Sequence, residues 1–215
     1  MTHSLHRIGS EASLERDYVV LITPAAGINH EGSAAKLKEI LDFIAQLGPT
    51  NIGGYETGSI YAGYGVEDIK HGLDRAVVPR VRCCFSDLDK VKRLVEFVRA
   101  RDYGLSVTVS GLVANVRRMC AELGVRPHSV NLSLGFHGRT DLLPESEVLE
   151  IVTMCGHGML GPRFVSSVMD RVSSGQLSPR EGARELARPC VCGIFNVDRA
   201  EQLLTRVCQC SQHRC

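Results

Sequence analysis

Hydrophobic positions along the chain switch between two patterns. Tyr18-Val-Val-Leu-Ile-Thr23 is a short apolar run, the mark of a strand buried on both faces. After a loop holding Pro24, Gly27 and Gly32, the residues Leu37, Ile40, Leu41, Ile44 and Leu47 recur at spacings of three and four. That stripe predicts a helix from about Ser33 to Leu47, stopped by Gly48-Pro49. Asn51 to Gly65 holds five glycines and three tyrosines and reads as one or two irregular strands and turns. A short helix over Val66–Ala76 and a strand over Arg80–Phe85 come next. Ser86 or Asp87 then caps a helix carrying Val91, Leu94, Val95 and Val98. Leu105–Val109 is a further strand, and the helix after it carries Leu112, Val116, Met119 and Cys120 before ending at Gly124. Ser129-Val-Asn-Leu-Ser-Leu134 is the last expected strand.

Past residue 140 the pattern is helical throughout. Helices are expected over Glu145–Met154 and Pro162–Val172. A third starts at the capping box Ser178-Pro-Arg-Glu181, and a fourth is capped by Asn196. Strands alternating with helices imply right-handed crossovers. The expected fold is therefore α/β, with a mainly parallel sheet of four or five strands and a helical C-terminal third. The chain divides into an N-terminal segment (1–17), an α/β domain (18–140), a helical region on the same domain (141–207) and a Cys-rich tail (208–215).

Composition narrows the function. The formal net charge of +1 over 215 residues argues against a nucleic-acid partner, as does an aromatic content of 5% without tryptophan. No apolar run is long enough for a secretory signal or a membrane span, so the expectation is a soluble, cytoplasmic protein. A small-molecule partner fits best, and a homo-oligomer is compatible with the size. Nine cysteines are the unusual number. In a reducing compartment they point to metal binding or thiol chemistry before disulfides.

Familiar motifs are missing. Gly53 to Gly58-Ser59 has the glycine spacing of a phosphate loop, but serine stands where the lysine is needed. There is no G-x-G-x-x-G after the first strand, no G-x-S-x-G and no H-E-x-x-H. In a parallel sheet, ligands sit at the carboxyl ends of the strands. Those ends offer His30, Ser86 and Arg139 to orient an anionic substrate, and His137 there, or His157 in a later loop, is expected to move protons.

The chemistry concentrates in two glycine-bounded loops, Met154-Cys155-Gly156-His157-Gly158 and Pro189-Cys190-Val191-Cys192-Gly193. Cys120 falls in an apolar stripe and reads as core, whereas Cys155, Cys190 and Cys192 do not. Three thiolates suit a [4Fe–4S] cluster with one open iron. Adding His157 or His137 makes the same set a Cys/His zinc site. The tight C-x-C spacing tips the reading towards iron–sulfur. Cys83 and Cys84 point to opposite sheet faces, so at most one reaches a cleft, and Cys208, Cys210 and Cys215 read as exposed tail thiols. The expected function is a metal-dependent lyase or hydrolase acting on a small anionic metabolite. A thiol-redox enzyme using Cys190 and Cys192, or a non-catalytic metal carrier, are the alternatives.

Overall fold

A computed structural model gives the fold and describes residues 7–212. A short helix α1 (Glu11–Leu14) leads into β1 (Tyr18–Thr23), α2 (Ser33–Leu47), β2 (Asn51–Gly54) and β3 (Gly58–Ser59). Then come α3 (Val66–Arg75), β4 (Val81–Phe85), α4 (Leu88–Arg101), β5 (Ser106–Ser110) and α5 (Val113–Glu122). The C-terminal part is α6 (Ser146–Val152), α7 (Pro162–Ser173), α8 (Pro179–Ala187) and α9 (Val197–Gln212). The elements form where the apolar periodicity and caps direct. Ser178 and Glu181 make a reciprocal capping box at α8, and Asp87 caps α4 by accepting from the Asp89 amide.

The expected parallel sheet is not what forms. The five strands lie in the order β3-β2-β4-β1-β5, and every pairing is antiparallel. The physical reason is an intercalation. β1 and β2 are joined through α2 and run in the same direction, but β4 lies between them, antiparallel to both. β4 and β5 likewise share a direction across α4, with β1 between them. Each strand–helix–strand unit thus returns its chain in the original direction while leaving one slot, and the other unit fills it. This is the split βαβ arrangement.

A second correction concerns Ser129–Leu134, which joins no ladder. Val130, Leu132 and Leu134 are exposed, and the sheet ends at β5. Alternation suits a strand, but a strand exists only through its partner.

Three layers result. One face of the sheet, with Tyr18, Val20, Ile22, Cys83 and Phe85, packs against α2, α3, α4 and α5. The other, with Val19 and Cys84, packs against α6, α7, α8 and α9. The two vicinal thiols do divide between faces, and both are buried in core. Cys208 is also drawn in: it packs on the C-terminal core with its Sγ 3.6 Å from the Val172 carbonyl, so it is not the exposed tail thiol expected. The Cys210 side chain and Cys215 lie outside the described residues. No helix among the described residues is long and apolar enough to cross a membrane.

Candidate functional site

The C-x-C loop lies flat on the sheet because two glycines meet. Gly193 has φ +74°, and a Cβ there would fall 2.1 Å from the Gly53 amide nitrogen in β2. A Cβ on Gly53 would in turn fall 2.8 Å from both the Gly193 nitrogen and the Val191 carbonyl. Real Cβ contacts are never so short, so both positions need glycine. Asn51, two residues before Gly53 on the same face, donates to the Phe195 carbonyl at 3.0 Å and fixes the other end of the loop.

A buried ionic network then ties this loop to the one carrying Cys155. Asp17, fully buried just before β1, accepts from Arg7 at 2.5 and 2.6 Å, from Arg199 of α9 at 2.7 Å and from Asn196 at 3.1 Å. Burial alone would raise its pKa, but Arg7 and Arg199 outweigh that and hold the carboxyl below its usual range. Arg7 turns its other terminal nitrogen to the Met154 carbonyl at 3.1 Å and to the Ile194 carbonyl. These carbonyls flank Cys155 and the C-x-C loop. One N-terminal arginine thus staples the two thiol loops together. Glu150 lies 3.4 Å from Arg199, so the network holds two cations and two carboxylates.

Within this frame the sequence-predicted thiols meet. Cys155 and Cys190 are free thiols near enough for a side-chain hydrogen bond to act between them. Cys190 and Cys192 have sulfurs 3.9 Å apart, and Cys192 Sγ is 3.5 Å from His157 Nδ1. All three cysteines are buried, whereas His157 is exposed. The donors form a row of contacts; among the described residues no three Cys, His, Asp or Glu groups already surround a common ion position. The hydrogen bond from Cys190 lowers the Cys192 thiol despite its burial. Cys190 is pushed up to about 12: its bond with Cys155 lowers it, but its bond to Cys192 and burial prevail. The bond to Cys190, with burial, pushes Cys155 well up. Partial desolvation of the ring, with the Arg82 cation nearby, lowers the His157 pKa.

Arg82 completes the surroundings. It faces this side of the sheet, opposite Gly53 in β2 and Leu21 in β1. Its guanidinium lies 5.8 Å from the centroid of the Tyr55 ring, and that ring meets His157 edge-on at 5.8 Å. Arg82 is 5% exposed, and its Nε and Nη1 have no hydrogen-bond partner.

The strand-end residues do not gather here. Because the strands are antiparallel, their carboxyl ends alternate. Thr23 at the end of β1 lies beside Ser106 at the start of β5, while Phe85 at the end of β4 lies beside Tyr18 at the start of β1. His30 therefore follows one end of the sheet and Ser86 the other. His30 accepts from the Gly27 amide at 3.1 Å, and Ser86 donates to Asn196 at 3.1 Å. His137 contacts the Leu134 carbonyl at 3.0 Å and Arg139 pairs with Asp141 at 2.6 Å, each within its own exposed loop. The site rests on one face of the sheet instead.

Sequence reasoning missed Arg7, Asp17, Arg82 and Arg199. Two of them left a signal: Arg82 interrupts an apolar strand, and Arg199 stands four residues before Leu203 on the buried stripe of α9. Comparison with protein-family models, curated proteins and solved structures returned no match.

Proposed function

We propose that Cys155, Cys190, Cys192 and His157 hold one divalent metal ion, and that the protein is a metal-dependent enzyme of the lyase or hydrolase kind. The observation that carries this reading is the spacing of the donors. Ligands at about 2.3 Å for sulfur and about 2.0 Å for nitrogen around a tetrahedral zinc stand about 3.8 Å (S···S) and about 3.5 Å (S···N) apart. The contacts of 3.9 Å and 3.5 Å match those edges. To surround one ion the row would have to close by rotation of cysteines about their single side-chain torsions between staggered wells. Zinc fits better than the iron–sulfur cluster, whose cysteines each hold a different iron and so spread their sulfurs further apart. With all four ligands in place a tetrahedral ion has no free position, so Lewis-acid polarisation of a carbonyl or hydroxyl oxygen would require His157 to yield its place to that oxygen. The three thiols are buried and His157 alone faces solvent, which makes the His157 side the approach for a substrate.

The same contacts favour one other reading. Cys190 and Cys192 are adjacent thiols and the latter is acidified, the arrangement of an exchanging redox pair. Metal analysis of protein purified without oxygen or chelator separates the two. The metal reading expects about one zinc per chain, lost in Cys155→Ala, Cys190→Ala and Cys192→Ala and weakened in His157→Ala. Metal-free wild type that forms a reversible Cys190–Cys192 disulfide overturns it and establishes the redox pair.

A further inference from the structure

Most buried cations in this protein are balanced. Arg7 and Arg199 face Asp17 and Glu150. Arg82 is the exception: among the described residues no carboxylate lies within ion-pair distance of it, and three of its five N–H donors, on Nε and Nη1, are unused. An uncompensated buried cation costs several kcal/mol, a cost that an anion placed beside it would offset. Around Arg82 lie the Tyr55 ring, Gly53 of the neighbouring strand and the Cys192 thiol, with the Glu56 carboxylate and the Arg80 cation also acting on it.

We infer that Arg82 is the counter-charge of the metal centre, its unused Nε and Nη1 donors serving the thiolates of the C-x-C loop that is pressed onto its strand partner Gly53. The inference rests on the metal reading above. A divalent ion with three thiolates and one neutral imidazole carries one net negative charge, and a single guanidinium cancels it. The arginine also explains why the C-x-C loop is pressed onto β2 at Gly53: that contact sets the thiol loop directly beside the strand partner of Arg82.

The test compares wild type with Arg82→Met, Arg82→Gln and Arg82→Lys. Zinc affinity is measured by competition with a chromophoric chelator, and cobalt(II) loading gives the sulfur-to-metal charge-transfer bands. Loss of an outer partner of this kind costs about 10–100-fold in metal affinity, expected for Met and Gln. Lys, which keeps the charge, recovers most of it. In the Met and Gln variants the cobalt bands move to longer wavelength, because thiolates without N–H donors are more electron-rich. The metal-free Met variant is expected to be at least as stable as metal-free wild type, since a lone buried charge is gone. A merely structural arginine would lower metal-free stability instead. Zinc affinity within about threefold of wild type in Met and Gln, unmoved cobalt bands, or a metal-free Met variant that fails to fold would each overturn the inference. If wild type itself binds neither zinc nor cobalt, the metal reading fails and takes this inference with it.

Discussion

Replacing Asp17 with asparagine removes one charge and almost no volume. Asp17 is fully buried and receives five hydrogen bonds, two from Arg7 and one each from Arg199, Asn196 and, at 4.0 Å, the Cys84 thiol. The asparagine oxygen can keep one guanidinium contact, but its amide nitrogen faces the other. Two buried cations then share only Glu150, at 3.4 Å from Arg199. Breaking a buried pair from one side costs about 3–5 kcal/mol. Domains have about 5–15 kcal/mol in all, so the loss is about a fifth of it or more. With a urea slope of about 3 kcal/mol/M, the midpoint falls by about 1–2 M. Arg7→Met combined with Asp17→Asn is expected to be less destabilising than the two changes summed, because the double variant removes a charge from each side. The low Asp17 pKa adds a pH signature. A carboxyl depressed in the folded state contributes stability that is complete above its unfolded value of about 4 and lost as pH falls through the folded value. Wild type should therefore lose stability below about pH 4, with a steeper slope than Asp17→Asn. A midpoint shift under about 0.3 M, with strict additivity in the double variant, would refute the network as a stabilising unit.

Three further outcomes are expected. Gly193→Ala forces a Cβ to 2.1 Å from the Gly53 nitrogen at a positive φ, so it should lift the thiol loop, cost about 2 kcal/mol or more and lower bound metal together; metal analysis beside a thermal melt checks it. Cys83 and Cys84 are fully buried, and burial pushes both thiols well above their usual range, so neither should react with a thiol reagent until the protein unfolds; mass mapping of labelled residues decides. Asn196→Ala should cost about 2 kcal/mol, since its oxygen caps Arg199 at 3.0 Å and its nitrogen holds the Arg16 carbonyl at 2.8 Å, measured by urea unfolding.

Much of the thiol centre was legible from local chemistry. Cys155, Cys190 and Cys192 stood out because they fall outside apolar stripes and beside glycines, and the fold brings them together with His157. Other candidates failed for a single reason. His30, Ser86, His137 and Arg139 were placed by the rule for parallel sheets, and antiparallel neighbours send successive strand ends to opposite sides. Arg82 was overlooked because a charged residue in a strand usually faces solvent, and nothing local says which face of β4 is covered.

Element positions were set by the sequence itself. Apolar periodicity, caps and glycine stops are local, and they place α2, β4, α4 and α8 within a residue or two of where they form. Strand direction was not local. The order β2-β4-β1-β5 arises because each strand–helix–strand unit leaves a gap that fits one strand of the other. Such pairing depends on residues far apart in the chain and leaves no periodic trace. The same holds for the thiol cluster: its cysteines and His157 stand in two short loops, but their meeting is decided by Arg7 and by the Gly53–Gly193 contact. Close packing and buried charge, both products of the tertiary fold, turn three separate cysteines into one site.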